Sequence, residues 1–140
     1  MRTAGLAIAC WVSLSGSTLA ACAPPAPVRF PPNAVATDLH GGIARGDVAC
    51  FTIRARQGQV LSVTQPDTPH PNIAIQMYRP PWHIGDDQAE VAVSGTPLKG
   101  AEEGADAKQW FGRLPVSGSY LLIVGTIRGG GEYRLHVEIR

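Results

Sequence analysis

From Asp38 onward, apolar and polar residues alternate with a period of two. The last segment is the clearest: Tyr133, Leu135, Val137 and Ile139 alternate with Arg134, His136 and Glu138, the pattern of a half-buried strand with one wet face. Ser119 to Thr126 is a nearly continuous apolar run, which predicts a central strand covered on both faces. Arg128-Gly129-Gly130-Gly131 lies between these two segments and predicts a hairpin. Ala49 to Ala55 alternates with Phe51, Ile53 and Ala55 inward; Gln57-Gly58-Gln59 turns the chain and Val60 to Thr64 returns. Ile73, Ile75 and Met77 mark a further strand that stops at Arg79-Pro80-Pro81. Weaker strand patterns cover 35–40, 90–94 and 107–114. No window of a dozen residues carries a helical stripe, and Gly100 and Gly104 make the charged stretch 98–108 a loop. Seven or eight short strands with regular turn signals predict an all-β chain folded as an antiparallel two-sheet β-sandwich.

The N-terminus departs from this pattern. Arg2 is followed by an apolar stretch from Leu6 to Leu14 and then by small residues, the layout of an export signal. The stretch is shorter than the roughly 20 residues a membrane-spanning helix needs. Leu19-Ala20-Ala21-Cys22 resembles the lipobox of bacterial lipoproteins, in which the signal is cut before the Cys. The resemblance implies a signal peptide over 1–21 and a lipid thioether (with palmitate-type acyl chains) on Cys22, anchoring the protein to a membrane. At about 0.8 kcal/mol per buried CH₂, a single myristoyl-sized chain holds only marginally, whereas two or more anchor stably. Ala23, rather than Asp, follows the Cys and resembles the class sorted to the outer membrane, facing the periplasm. Two alternatives stay open. An A-x-A site such as Ala21-Cys22-Ala23 would release a soluble protein. An unacylated Cys22 could pair with Cys50 in an oxidising compartment. Five of the twelve prolines fall in 24–32, so 22–34 reads as an extended, semi-rigid tether and 35–140 as the folded domain.

Composition narrows the function classes. Removing residues 1–21 leaves 119 of the 140 residues, enough for one compact core. Charged residues make up 16% and hydrophobic ones 44%, which argues against disorder. The formal charge is +1, and losing Arg2 brings it to zero. Such a chain has no polyanion-binding excess, so nucleic acid is not an expected partner.

The stretch from Gly42 to Val63, with Gly46-Asp47 before the strand around Phe51 and Gly58-Gln59 at the following turn, is similar to the opening of bacterial pre-peptidase C-terminal domains. Leu114-Pro115-Val116-Ser117-Gly118-Ser119-Tyr120 and Tyr133-Arg134-Leu135 match that family's ending. The resemblance spans about 40–140 and implies a jelly-roll-like sandwich found beside secreted enzymes or alone. It implies little about chemistry. Many such domains carry an acidic residue where this chain has Ala49. Some bind calcium through acidic clusters at the sandwich edge, for which no matching set is found here.

Candidate chemistry is sparse. With Cys10 in the signal and Cys22 acylated, Cys50 reads as a small buried hydrophobe. His40, His70, His83 and His136 show no metal-ligand spacing. His83 with Asp86, Asp87 and Glu90 is the one crowd of ligands suited to calcium, and no cofactor is expected. The segment Tyr78-Arg79-Pro80-Pro81-Trp82-His83-Ile84-Gly85-Asp86-Asp87 reads as a Pro-stiffened aromatic loop. Tyr78, Trp82, His83, Asp86 and Asp87 are its candidate ligand-binding residues: rings to stack on a sugar or anchor a protein, carboxylates to accept hydrogen bonds. The bland alternative is Trp82 folded back as a lid over the core edge. Of adjacent Trp110 and Phe111, one should face in. Together these features predict a non-enzymatic envelope module binding a protein or glycan. A structural accessory protein or a periplasmic enzyme inhibitor, which should present a rigid protruding loop, is the alternative.

Overall fold

The computed structural model of the chain describes residues 21–66, 70–85 and 92–140. The signal segment, Asp86, Asp87 and Glu90 therefore lie outside the described residues. Among those described there is no helix. Nine strands follow one another: β1 Ala21–Pro27, β2 Ala36–Ile43, β3 Ala49–Ala55, β4 Val60–Thr64, β5 Ile73–Ile84, β6 Val93–Pro97, β7 Trp110–Arg113, β8 Gly118–Thr126 and β9 Gly131–Ile139. They form a five-stranded sheet in the order β1-β3-β8-β5-β6 and a four-stranded sheet in the order β2-β9-β4-β7.

Alternation dictates how the sheets pack. Ile53 and Ala55 of β3, Ile73, Ile75 and Met77 of β5, and Tyr120, Leu122 and Val124 of β8 face the four-stranded sheet. There they meet Leu61 and Val63 of β4 and Tyr133, Leu135 and Val137 of β9 in one core. Burying each large apolar side chain stabilises the fold by roughly 1.5–3 kcal/mol. The continuous apolar run of β8 has its explanation here. Leu121 and Ile123 point to the opposite, outer face of the five-stranded sheet, where they build a second cluster with Cys22, Cys50 and Tyr78.

Several sequence expectations need correction. The hairpin expected across 128–131 does not form, because β8 is paired on both edges, by β3 and β5. The glycine-rich segment instead carries the chain across to the other sheet, where β9 pairs with β2 and β4. The 57–59 turn likewise passes from β3 in one sheet to β4 in the other. The five-stranded sheet is mixed rather than purely antiparallel, since β1 runs parallel to β3. Part of the expected Pro-rich tether is thus a strand; its prolines are tolerated because β1 is an edge. Val28 and Phe30 continue onto the core.

The largest local difference is in β5. Its strand does not stop at Arg79-Pro80-Pro81 but runs on to Ile84, antiparallel to β6, with an irregularity between Arg79 and Trp82. The pairing of β5 with β8 ends at Tyr78. Pro80 and Pro81, joined by a cis peptide bond, therefore sit where no ladder to β8 needs their missing N–H groups.

Candidate functional site

The aromatic segment 78–85 is a strand rather than a free loop, and this decides what its side chains can do. Tyr78 is buried in the outer cluster with Cys22, Cys50, Leu121 and Ile123. Trp82 is half-buried against the same cluster, and its indole N–H donates to the Ser119 carbonyl at 2.8 Å. The ring covers the outer face as a lid. His83 is exposed. Tyr78 and Trp82 are thus brought together, His83 is turned away from them, and Asp86 and Asp87 lie outside the described residues. Among the described residues no group of three His, Cys, Asp or Glu side chains could hold a metal.

The tyrosines give one testable consequence. Burial raises the Tyr78 hydroxyl above its ordinary value near 10, and the charge of Glu103 adds to the effect. Burial alone raises Tyr133. The folded state therefore holds these protons more tightly than the unfolded chain, so stability is complete below about pH 10 and falls as pH rises beyond it. Thermal melts at pH about 8 and about 11 should show the lower midpoint at the higher pH.

A more ordered surface stands at the end of the sandwich where β3 leads into β4 and β7 leads into β8. The turn after β3 is closed by the Gln59 N–H donating to the Arg56 carbonyl at 3.1 Å and the Arg56 N–H donating to Gln59 Oε1 at 2.7 Å. Gly58 sits there at φ +88°, a conformation that costs other residues more. The neighbouring loop 114–118 is bolted to this turn. The Gly58 N–H donates to the Leu114 carbonyl at 2.9 Å, the Leu114 N–H to the Gln59 carbonyl at 2.8 Å, and the Gln57 N–H to Ser117 Oγ at 2.8 Å.

Tyr120 ties the loop down from within. Its side chain is fully buried in the core. The hydroxyl donates to the Val116 carbonyl at 2.6 Å and accepts from the Val116 N–H at 3.2 Å. Gly118 adds a steric condition: at φ +144°, a Cβ there would lie 2.8 Å from Pro80 Cγ. Tyr120→Phe would leave both Val116 groups without their partner. It should cost about 2–3 kcal/mol, read as a lower denaturant midpoint with faster amide exchange at Val116.

Arginines crown this end. Arg54, Ala55, Arg56, Gln59, Ser117 and Gly118 line a shallow cleft of about 430 Å³ without a carboxylate. Arg54 and Arg56 are exposed, and among the described residues neither pairs with an acid. Arg113 caps the turn by donating to the Gly58 carbonyl at 2.8 Å. Arg140, joined through its backbone to Val60, pairs with Glu138. The site was missed from sequence because its arginines are spread over three segments. The only local signals were the turn glycine and the loop resembling the family ending.

Of the adjacent aromatics near β7, Trp110 packs on the core with its N–H donating to the Lys99 carbonyl at 3.0 Å. Phe111 stands out at 74% exposure.

No protein-family model matches the chain, and no curated protein sequence matches it. Solved structures do match. The chain is similar to PliG of Aeromonas hydrophila, a periplasmic lysozyme inhibitor of g-type lysozyme. That likeness has 25% identity and a TM-score of 0.59, covering 83% of this chain and 96% of that one. The PliG of Salmonella Typhimurium matches at 20% identity and a TM-score of 0.54, covering 83% of this chain and 97% of that one. A mutant of the Escherichia coli PliG matches at 19% and 0.55 with the same coverage. At these lower identities the likeness is one of fold. The pre-peptidase C-terminal domain of a Bacillus anthracis collagenase aligns at 15% identity and a TM-score of only 0.39, too distant to add to the argument. The three better matches are periplasmic proteins that bind an enzyme and inhibit it.

Proposed function

We propose that this protein is a non-enzymatic envelope module that binds and blocks a g-type lysozyme through the arginine-bearing end of its sandwich. The observation that carries the reading is the cleft between the 55–59 turn and the 114–118 loop, basic and rigid at once. Glycoside hydrolases generally cut with a pair of carboxylates flanking the scissile bond, so the cleft of such an enzyme offers acidic groups to an inhibitor. Arg54 and Arg56 offer planar guanidinium forks that match a carboxylate bidentately. Cross-bonded loops lose little conformational freedom on docking, which leaves more of the interaction energy as affinity. The likeness to PliG at 25% identity supports the same partner class and a periplasmic location.

The reading moves the ligand surface away from 78–87. Tyr78 and Trp82 spend their rings on the outer cluster, whereas Arg54 and Arg56 have no counter-charge among the described residues. The experiment is steady-state kinetics of a g-type lysozyme on cell-wall substrate with the purified protein. Competitive inhibition that weakens as salt rises from about 0.05 to 0.5 M is expected, because exposed charges are screened. Non-competitive behaviour, or inhibition indifferent to salt, would place the contact elsewhere.

A further inference from the structure

We infer that Cys22 is an oxidative modification site, retained in the mature chain as half of a disulfide with Cys50 and never acylated. The lipobox-like Leu19-Ala20-Ala21-Cys22 and the fold make competing demands on one sulfur. In the structure that sulfur is bonded to Cys50, with the Cα atoms 4.7 Å apart, inside the roughly 4.4–6.8 Å range of disulfides. A thioether to a diacylglyceryl group and a disulfide cannot share it.

Burial decides between them. Cys22 is 2% and Cys50 1% exposed, packed with Tyr78, Leu121 and Ile123 beneath the Trp82 lid. An acyl-bearing sulfur would have to leave this cluster, stripping cover from Leu121 and leaving Cys50 as a buried single thiol. Strand pairing points the same way. The parallel ladder of β1 on β3 includes Ala21 opposite Ala49, so the pairing reaches past the position at which a lipoprotein signal would be cut. An A-x-A cut after Ala23 fares no better, since it removes Cys22 altogether. What fits is export with cleavage upstream of Cys22, for which Thr18 and Ala20 supply the small residues.

The chemistry needs an oxidant, here the disulfide of an exported thiol–disulfide oxidoreductase. One cysteine attacks as thiolate to give a mixed disulfide, and the other displaces the oxidant's second sulfur. Two electrons and two protons pass in total from the cysteines to the oxidant, which leaves as a dithiol. The module is then free in the periplasm rather than fixed to a lipid surface.

The test is intact mass of the full-length gene product, exported with its own signal into an oxidising periplasm and recovered from total envelope and soluble fractions. Expected is a soluble chain that contains Cys22, lacks any lipid mass, and takes up thiol-alkylating reagent only after reduction. A Cys50→Ser variant should then expose one alkylatable thiol, at residue 22, still without lipid. A diacylglyceryl mass on residue 22, a chain beginning after it, or two alkylatable thiols without reductant would each overturn the inference. None of these outcomes depends on lysozyme binding, so this inference and the inhibitor reading fail separately.

Discussion

Replacing Arg56 by Glu should raise the inhibition constant against a g-type lysozyme by about 10²–10³-fold. Losing one partner of a desolvated charge pair costs roughly 2–5 kcal/mol, and each 1.4 kcal/mol is about tenfold. Reversing the sign adds repulsion against the enzyme's carboxylates. Arg56 is exposed and its side chain makes no hydrogen bond among the described residues, so the unfolding free energy should stay within the small range of surface changes, about 0.5 kcal/mol. Arg56→Lys keeps the charge but not the fork, and should fall between the two. Arg128→Glu provides the control: Arg128 follows the far end of β8, a nine-residue strand away from the 114–118 loop, and its reversal should leave inhibition unchanged within about twofold. If Arg128 mattered and Arg56 did not, the opposite end of the sandwich would be the contact surface.

Breaking the Cys22–Cys50 bond should remove about 3–4 kcal/mol of stability. The two residues are 28 apart in sequence, and closing a loop of that length restricts the unfolded chain by roughly this amount. For a domain of this size the loss is a fall in melting temperature of about 10–15 °C, measurable by calorimetry with and without reductant. The effect should be local in origin. β1 is an edge strand held on one side only, so its release uncovers the outer cluster before the main core opens. A change below about 1 kcal/mol would mean that β1 contributes little to the folded state.

Period-two patterning made the strands legible. β3, β4, β8 and β9 appear in the sequence nearly at their observed bounds: local alternation records the buried faces of β3, β4 and β9, and an unbroken apolar run records the covering of β8 on both faces. Pairing was not legible. The segment between Thr126 and Gly131 looks like any glycine-rich hairpin, and only the occupied edges of β8 show why the chain crosses to the other sheet. What holds the crossover is Asn72, whose side-chain amide donates to the Gly130 carbonyl at 3.0 Å and whose Oδ1 accepts from the Arg128 N–H at 2.7 Å. That residue is 58 positions from Gly130, so no local pattern could announce it.

The candidate site divides the same way. An aromatic Pro-rich segment signals something ordered, but composition does not distinguish a ring offered to a ligand from one clamped over a neighbour. Trp82 is the second kind because Ser119, far away in sequence, accepts its N–H. The arginine-bearing end combines β3, the 55–59 turn and the loop after β7, segments that tertiary packing alone brings together.

The most direct measurement is amide hydrogen exchange of this protein free and in complex with a g-type lysozyme. Slowed exchange confined to 54–59 and 113–118, with 72–78 and 126–131 unchanged, is the expected result. Protection centred on 78–85 or on the opposite end, or no protection anywhere at saturating enzyme, would contradict it.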